Sequence, residues 1–333
     1  MSAAATALTT PHPAASPAAA TGLSAAAADR PGTAGALLRM FGGALPVEDI
    51  YSEQGSVLYD VIGGGDQHEV TELLAVLGGA RRSVLELAAG AGRLTLPLLA
   101  DGHDVVALEK SPMMLRLLAA KAEPAGHLHL ADGQVRRDGG PARLTLVEGD
   151  MTRLDLGRRF DAVVLGATSV SLLDEAGRAA MFAAVREHLA PAGVFLFSTL
   201  QMRRGPMLAQ PVRENIHVLT VPGGPDGPDG SDGRGGSDGL GGSLITLIEW
   251  VDGTARQRLI SALRATVAPS GAVEHRLFTS RVRILETADL ERELAAAGLT
   301  AVARQQVTGG QEPDRSTVLL RCVRAEDHEG ERR

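Results

Sequence analysis

A short apolar run that ends in an acid and turns on two glycines constrains the fold of this chain more than any other segment. Residues Val84 to Leu87 are apolar apart from Glu86, and Gly90 and Gly92 follow before the next apolar run. Glycine lets the backbone turn tightly and approach a ligand where a side chain would clash. The N-terminus of a following helix offers free N–H groups to ligand oxygens. The pattern therefore predicts a buried strand, a turn and a helix that bind a nucleotide-type cofactor.

The spacing of the glycines distinguishes between two such cofactors. A dinucleotide fingerprint needs a third small residue so that the helix packs closely on the strand, and Thr95 occupies that position. The spacing E-x-x-x-G-x-G instead places Glu86 where it can attract the cationic amino group of a methionine moiety, which NAD lacks. We therefore expect S-adenosylmethionine as cofactor and keep an NAD-dependent oxidoreductase as the weaker alternative.

Three further apolar runs end in residues that suit an adenosine ligand. Glu109 ends the second run, about 20 residues beyond the glycine turn, where a carboxylate accepts from ribose hydroxyls. Asp150 follows the third run as a candidate acceptor for the adenine amino group, with Met151 against the purine face. Gly166 and Ala167 end the fourth run and leave room beside a sulfonium. Because ligands of open α/β sheets bind beyond the carboxyl ends of the strands, the four ends predict one site.

The runs that carry these residues, 84–111 and 146–198, resemble class I S-adenosylmethionine-dependent methyltransferases. More narrowly, they resemble the peptide N-methyltransferases of actinobacterial natural-product pathways, both those acting on glycopeptide antibiotics and those of daptide-type ribosomal peptides. The likeness covers roughly residues 51–324. Such enzymes often carry a tyrosine pair in an N-terminal helix that closes over the cofactor, and Tyr51 and Tyr59 fit this role.

The resemblance implies five cofactor contacts, which are Glu86, Gly90, Gly92, Glu109 and Asp150. The residues around these positions and the tyrosine of the cap helix complete the predicted cofactor site: Ala88, Arg93, Leu94, Lys110, Ser111, Met151, Gly166, Ala167 and Tyr59. Ser111 is also expected to cap the next helix. Two roles stay open for Arg93, which either binds a carboxylate tail of the ligand or is solvated on its helix.

The expected fold is α/β, a doubly wound Rossmann-like seven-stranded sheet with an antiparallel last strand, N-terminal cap helices and an antiparallel lid insertion. Its segments are a disordered Ala-rich N-terminus (1–35), cap helices (36–80), the cofactor-binding core (81–200), lid strands (201–286) with a flexible Gly/Asp/Pro insert (222–243), the C-terminal part of the core sheet (287–324) and a charged tail (325–333). The lid strands are expected at 244–251, 258–267 and 273–284. A helix is expected at 288–297, with Thr287 as its N-cap and Gly298 as its stop.

Charge and cysteine content limit the function classes. The net charge of −7 argues against a nucleic-acid substrate, which would require a basic face, and suits a cationic or neutral acceptor. The single cysteine, Cys322, cannot form an internal disulfide, which indicates a reducing cytoplasm. No apolar stretch approaches the roughly 20 residues that span a bilayer, so no membrane partner is expected. The Asp-rich insert reads as a solvated linker, and no metal site is expected.

The acceptor chemistry is less constrained than the cofactor. A protonated amine must lose a proton before it accepts a methyl group, and the candidates by position to take it are Asp174, His217 and Glu249. Tyr51, above the cofactor, is a further candidate catalytic residue. Asp174 is alternatively only the N-cap of a helix. His188 is expected to be a packing residue, and Asp161 a structural one.

The leading hypothesis is an N-methyltransferase that acts on an amino group of a peptide or small amine, with other pathway enzymes as possible partners and an unassigned oligomeric state. An O- or C-methyltransferase of a small metabolite stays open within the same fold. A non-catalytic module that binds S-adenosylmethionine is the alternative of another class. Such a module would keep the cofactor acids but fill the acceptor cavity with side chains.

Overall fold

The computed structural model describes residues 30–63, 67–123, 143–203, 205, 210–221, 242–267, 271–308 and 314–331. Most of the Ala-rich N-terminus and of the insert at 222–243 therefore lies outside the described residues. The first described helix, Gly32–Met40, begins inside the stretch 1–35 that was expected to be disordered.

Twelve strands occur in the described residues. In chain order they are β1 Val47–Asp49, β2 Ser83–Leu87, β3 Asp104–Glu109, β4 Leu144–Glu148, β5 Phe160–Leu165, β6 Leu189–Met202, β7 Val212–Val221, β8 Ser243–Asp252, β9 Gln257–Val267, β10 Val273–Arg283, β11 Leu299–Gln306 and β12 Arg315–Arg324. Seven form one sheet in the order β11-β12-β6-β5-β2-β3-β4. Strand β12 is antiparallel to both of its neighbours, whereas the pairs from β6 to β4 are parallel. The predicted doubly wound sheet with a reversed last strand is confirmed.

Helices cover both faces of this sheet. The α-helices described are α1 Gly32–Met40, α2 Glu53–Gly63, α3 Val70–Leu77, α4 Thr95–Ala100, α5 Pro112–Ala122, α6 Glu175–His188, α7 Thr287–Ala296 and α8 Ala325–Glu331. On one face α3, α4 and α5 bury side chains such as Leu98 and Leu118, and on the other α6 and α7 bury Phe182 and Leu290. Among the described helices, none is long and apolar enough to cross a bilayer.

The apolar sequence of β2 explains its central position in the sheet. Its apolar residues Val84 and Leu85 are fully buried, as a strand paired on both edges and covered on both faces requires. Asp161, at the start of β5, accepts from the backbone N–H and the hydroxyl of Ser83 at 2.8 and 2.7 Å. This bond ties the starts of two neighbouring strands and agrees with the structural role predicted for Asp161.

A second sheet, in the order β1-β10-β9-β8-β7, contains the three predicted lid strands. Strands β1 and β7 at its edges were not predicted. Helix α2 packs on this sheet through Leu58, which shares a buried cluster with Ile50 and Phe278. The predicted cap and lid therefore form one layered unit above the carboxyl ends of the core strands.

Two of the three predicted helix caps are present. Ser111 accepts from Met114 N at the start of α5, and Asp174 accepts from Gly177 N at 2.8 Å at the start of α6. The prediction for Thr287 is wrong, because Glu286 occupies the N-cap without a side-chain bond and Thr287 is buried as the first helical residue. Gly298 follows the end of α7 with φ +76°, as predicted for the residue that stops this helix.

Candidate active site

A cavity of about 1040 Å³ lies beyond the carboxyl ends of β2 to β5, beneath α2 and the lid sheet. Of the residues predicted to bind the cofactor, it is lined by Glu86, Ala88, Gly90, Arg93, Leu94, Glu109, Lys110, Ser111, Asp150, Met151, Gly166, Ala167 and Tyr59. Tyr51 also lines it. The four strand ends therefore meet in one cavity, at the upper end of the size range of small-molecule sites.

The two glycines of the turn after β2 have different roles. Gly90 has φ +56°, and an added Cβ would meet only Met114 Sδ at 3.4 Å, so its open side faces the cavity. Gly92 has φ +94° and does not line the cavity, and a Cβ there would lie 2.4 Å from Leu118 Cδ1. Gly92 thus allows close packing against α5, and its predicted contact with the cofactor stays a prediction.

Glu109 at the end of β3 holds the glycine turn in place. Its Oε2 accepts from Gly90 N at 3.0 Å, and its Oε1 accepts from Ser111 N at 2.8 Å. The carboxylate is 9 % exposed and lines the cavity. It therefore fixes the backbone that approaches the ligand and presents its remaining lone pairs to it.

Asp150, which follows β4, is held as an anion. Its Oδ1 accepts from Thr152 N and Oγ1 at 2.9 and 2.7 Å, and its Oδ2 receives Lys110 Nζ at 3.0 Å. The bonds from Thr152, followed by Lys110, lower the pKa of Asp150 to about 2 against the opposing effect of burial. Asp150 keeps its full charge at neutral pH and can accept from an amino group in the cavity.

The backbone at the end of β5 is strained where it borders the cavity. Ala167 and Thr168 both have left-handed conformations, with φ +54° and +55°. Ala88 and Glu69, which also line the cavity, have φ +50° and +64°. Non-glycine residues in this conformation concentrate at ligand sites, where the surroundings compensate for the strain.

Glu69 and Arg93 are linked at this end of the cavity. Arg93 forms an ion pair with Glu69 and donates to His68 O at 2.7 Å, so its side chain is not simply solvated. Glu69 also accepts from Ala167 N at 2.6 Å, across 98 residues of sequence. Sequence reasoning missed Glu69 and His68, because the segment before α3 carries no motif.

Helix α2 is fastened over the cavity by polar contacts with α5. Ser56 Oγ lies 3.1 Å from Ser111 Oγ, Arg116 pairs with Glu53, and Lys121 pairs with Asp60. The rings of Tyr51 and Tyr59 lie 5.5 Å apart on the cavity side of this layer. The predicted tyrosine pair therefore lies where it can cover a bound cofactor.

Comparison with known proteins indicates the family to which this domain is similar. Residues 84–193 match a family model described as a methyltransferase domain. The chain contains an S-adenosylmethionine-dependent methyltransferase domain. Ribosomal RNA small subunit methyltransferase A of Dichelobacter nodosus (strain VCS1703A) is 35% identical over 71 residues, which are 21% of this chain and 27% of the length of that curated relative.

Solved structures resemble the methyltransferase over most of its length. A S-adenosylmethionine-dependent methyltransferase from Clostridium acetobutylicum ATCC 824 covers 82% of this chain and 98% of its own, with 16% identity and a TM-score of 0.57, which supports the fold alone. The glycopeptide N-methyltransferase MtfA complexed with S-adenosyl-L-homocysteine is 28% identical, with 89% and 98% coverage and a TM-score of 0.52.

The charges around the methyltransferase cavity suit its cofactor. Among the described residues, seven carboxyl side chains line it against four arginine or lysine side chains. The acids are Asp49, Glu53, Asp60, Glu69, Glu86, Glu109 and Asp150, and the bases are Arg93, Lys110, Arg116 and Arg258. An acidic wall favours the sulfonium and ammonium charges of S-adenosylmethionine. Gly90 of the glycine turn and Glu109, the predicted acceptor for the ribose hydroxyls, both line this cavity.

Glu86 differs from the other acids because it is buried, with 2 % exposed. Thr95 donates to its Oε2 at 2.6 Å, so the residue that departs from the dinucleotide pattern serves here as a partner for the acid. Burial, opposed by the Thr95 bond, raises the pKa of Glu86 to about 8. The Glu86 carboxyl is therefore neutral at neutral pH in the ligand-free protein, which weakens its predicted role as the anion that attracts the amino group.

This shifted pKa makes a prediction for stability. Between the unfolded pKa near 4.5 and the folded pKa near 8, the folded state binds one proton more than the unfolded state, so the Glu86 contribution is complete below pH 4.5 and is lost as the pH rises. Each pH unit in this window lowers the free energy of unfolding of the wild type by about 1.4 kcal/mol, whereas Glu86→Gln has no such titration. The free energy of unfolding of the variant minus that of the wild type should therefore rise by on the order of 3 kcal/mol from pH 5 to pH 8. Denaturant unfolding of the ligand-free proteins at both pH values measures this difference. Parallel pH dependences would show that Glu86 is already ionised in the fold.

The predicted catalytic residues lie in different places. Asp174 caps α6 and does not line the cavity, and His217 is exposed on β7 and also lies outside it. Tyr51 lines the cavity, but burial, followed by the Tyr59 phenol, raises its pKa, so it is a hydrogen-bond donor and not a base at neutral pH. Geometry therefore disfavours Asp174 and His217 as bases.

The other titratable candidates have structural partners. Glu249 accepts from Arg258 Nε and Arg315 Nη1, both at 2.6 Å; although burial opposes them, these arginines lower its pKa to about 2. His188 accepts from Leu156 N at 2.9 Å, consistent with its predicted packing role. Burial raises the pKa of the Cys322 thiol, which leaves it unreactive.

Proposed function

We propose that this methyltransferase methylates an amino group of a peptide natural product, of the daptide type or a similar secondary metabolite, in the cytoplasm. The observation that carries the proposal is the excess of carboxyl side chains around the cavity, which remains when Glu86 is counted as neutral. Such a wall attracts an amine acceptor as well as the cofactor. The likeness to a glycopeptide N-methyltransferase supports the same acceptor chemistry.

The part of the cavity wall that lies away from the strand ends is the region that we assign to the acceptor. Arg258 and Thr317 line it on the side of the lid and the last strand, and Asp49, Tyr51 and Asp60 line it beneath the cap. A cavity of this size favours an enzyme over a non-catalytic binding module, because the acceptor space of such a module would be filled with side chains.

The chain's own residues would act mainly by position. Bound S-adenosylmethionine supplies a methyl group already activated by the sulfonium charge. Holding an acceptor in line is worth on the order of 7–11 kcal/mol. The carboxylates of Asp49 and Asp60 lie on the cavity wall, where they can orient an ammonium and, directly or through water, take its proton. The Tyr51 phenol can donate a hydrogen bond but does not take this proton.

An acidic cavity disfavours nucleic acid, although one relative is named for ribosomal RNA. The net charge of −7 and the carboxyl excess would repel a phosphate backbone. Peptide or small-amine acceptors, and the enzymes that make them, are therefore the partners that we propose.

The acceptor class can be tested by mass spectrometry with matched peptides. We expect a peptide with a free α-amino group to gain 14 mass units with formation of S-adenosylhomocysteine, and the same peptide with an acetylated N-terminus to gain none. Fragmentation should place the methyl group on nitrogen. Methylation of a hydroxyl or carbon atom, or equal methylation of the acetylated peptide, would contradict the amine assignment.

A further inference from the structure

One acid in the cavity wall has an unused oxygen. Glu69 is 1 % exposed, and its Oε1 accepts from Ala167 N and from Arg93. Its Oε2 is buried and has no hydrogen-bond partner among the described residues. Leaving a buried carboxylate oxygen unpaired costs free energy, so such an oxygen at a cavity wall points to a ligand.

The neighbouring residues hold the Glu69 carboxylate at the cavity wall. A Cβ at Gly166 would lie 2.8 Å from Glu69 Oε1, so a larger residue at the end of β5 would displace the carboxylate. The bond to Ala167 N holds the strained turn after β5 against the same group. Glu69, Gly166 and Ala167 all line the cavity.

We propose that Glu69 Oε2 binds the ammonium group of the methionine moiety of S-adenosylmethionine, with the positive charge of Arg93 beside the carboxylate of the same moiety. A methionine end is a zwitterion, and Glu69 and Arg93 present an anion and a cation side by side at the cavity wall. Glu69 thus takes the role that the glycine motif suggests for Glu86.

Glu86 is less suited to this role because of its hydrogen bond and its protonation state. Its Oε2 is already bonded to Thr95, and the acid is neutral at neutral pH in the ligand-free protein. Glu69 is instead held in an ion pair with an oxygen to spare. The same oxygen could receive an ammonium group from an acceptor, so the test uses cofactor ligands alone.

The experiment is calorimetric titration of the whole protein with S-adenosylhomocysteine and with 5′-methylthioadenosine, which keeps the nucleoside and the thioether but lacks the amino acid. In Glu69→Gln the amide oxygen can still accept from Ala167 N, while the charge is lost. We expect the affinity for S-adenosylhomocysteine to fall on the order of 10- to 100-fold, as for loss of a charge-assisted bond. Binding of 5′-methylthioadenosine should be unchanged.

Glu72→Gln is the matched control. Glu72 is another buried acid, in the first turn of the helix that Glu69 precedes, but it accepts from Thr308 N at 2.7 Å and does not line the cavity. It should bind both ligands as the wild type does. Glu69→Asp, which shortens the side chain and keeps its charge, provides a second variant and should weaken S-adenosylhomocysteine alone.

Two results would overturn the inference. Unchanged affinity of Glu69→Gln for S-adenosylhomocysteine would show that Glu69 does not bind the ammonium. Equal loss of both ligands would show that Glu69 only supports the cavity wall. Because no acceptor is present in the titration, neither result bears on the amine acceptor of the proposed function.

Discussion

Gly90→Val should bind no measurable S-adenosylhomocysteine. Residue 90 has φ +56°, a conformation that a β-branched residue rarely adopts, and its open side faces the cavity. A valine would therefore strain the turn, weaken the bond from Gly90 N to Glu109 and occupy ligand space. Isothermal calorimetry measures the binding, and thermal unfolding reports the accompanying loss of stability.

Gly157→Val is the control that separates the effect of backbone strain from the effect of a side chain that occupies ligand space. Gly157 has φ +60°, no atom of the described residues lies within 4 Å of an added Cβ there, and it is exposed outside the cavity. We expect this variant to lose stability but to keep its ligand affinity. Wild-type affinity in Gly90→Val, or equal loss of binding in the two variants, would contradict the place of Gly90 in the site.

Glu109→Gln should lower the affinity for S-adenosylhomocysteine by at least about 100-fold. Both Glu109 oxygens accept from backbone N–H groups, and an amide cannot accept at both ends, so one N–H of Gly90 or Ser111 would face an NH₂ group. The expected loss combines a disordered glycine turn with a missing ribose acceptor, which together reach at least the upper part of the roughly 1.5–3 kcal/mol of one charged hydrogen bond. Competition against a fluorescent cofactor analogue measures it.

Glu148→Gln is the control for this substitution. Glu148 is the register partner of Glu109 on β4, is exposed and does not line the cavity. It should leave the affinity unchanged. If Glu109→Gln binds S-adenosylhomocysteine as tightly as Glu148→Gln does, Glu109 does not contribute to cofactor binding.

Most of the residues that line this site were predictable from the sequence because they lie at the carboxyl ends of strands. Glu109, Asp150 and Gly166 each end or follow an apolar run, and parallel strands bring such ends together. Gly92 shows the limit of the motif, since its left-handed backbone and its packing against Leu118 already favour glycine without any ligand contact. A spacing pattern does not distinguish these two requirements.

Residues that reach the site through distant contacts were not predictable. Glu69 meets Ala167 across 98 residues, from a left-handed position before α3 that follows no periodic pattern. The capping role of Asp174 was visible beforehand, but its distance from the cavity depends on where α6 starts after the turn that follows β5. The lid sheet was predicted only in part, because the edge strand β7 is exposed along much of its length and buries only Val221.

The central claim is that the cavity binds S-adenosylmethionine through the strand-end acids and glycines. Side-by-side calorimetric titration of the protein with S-adenosylmethionine, S-adenosylhomocysteine and NAD tests it most directly. The account predicts saturable binding of the first two at one site per chain and none of NAD. Binding of NAD without either sulfur ligand would contradict it.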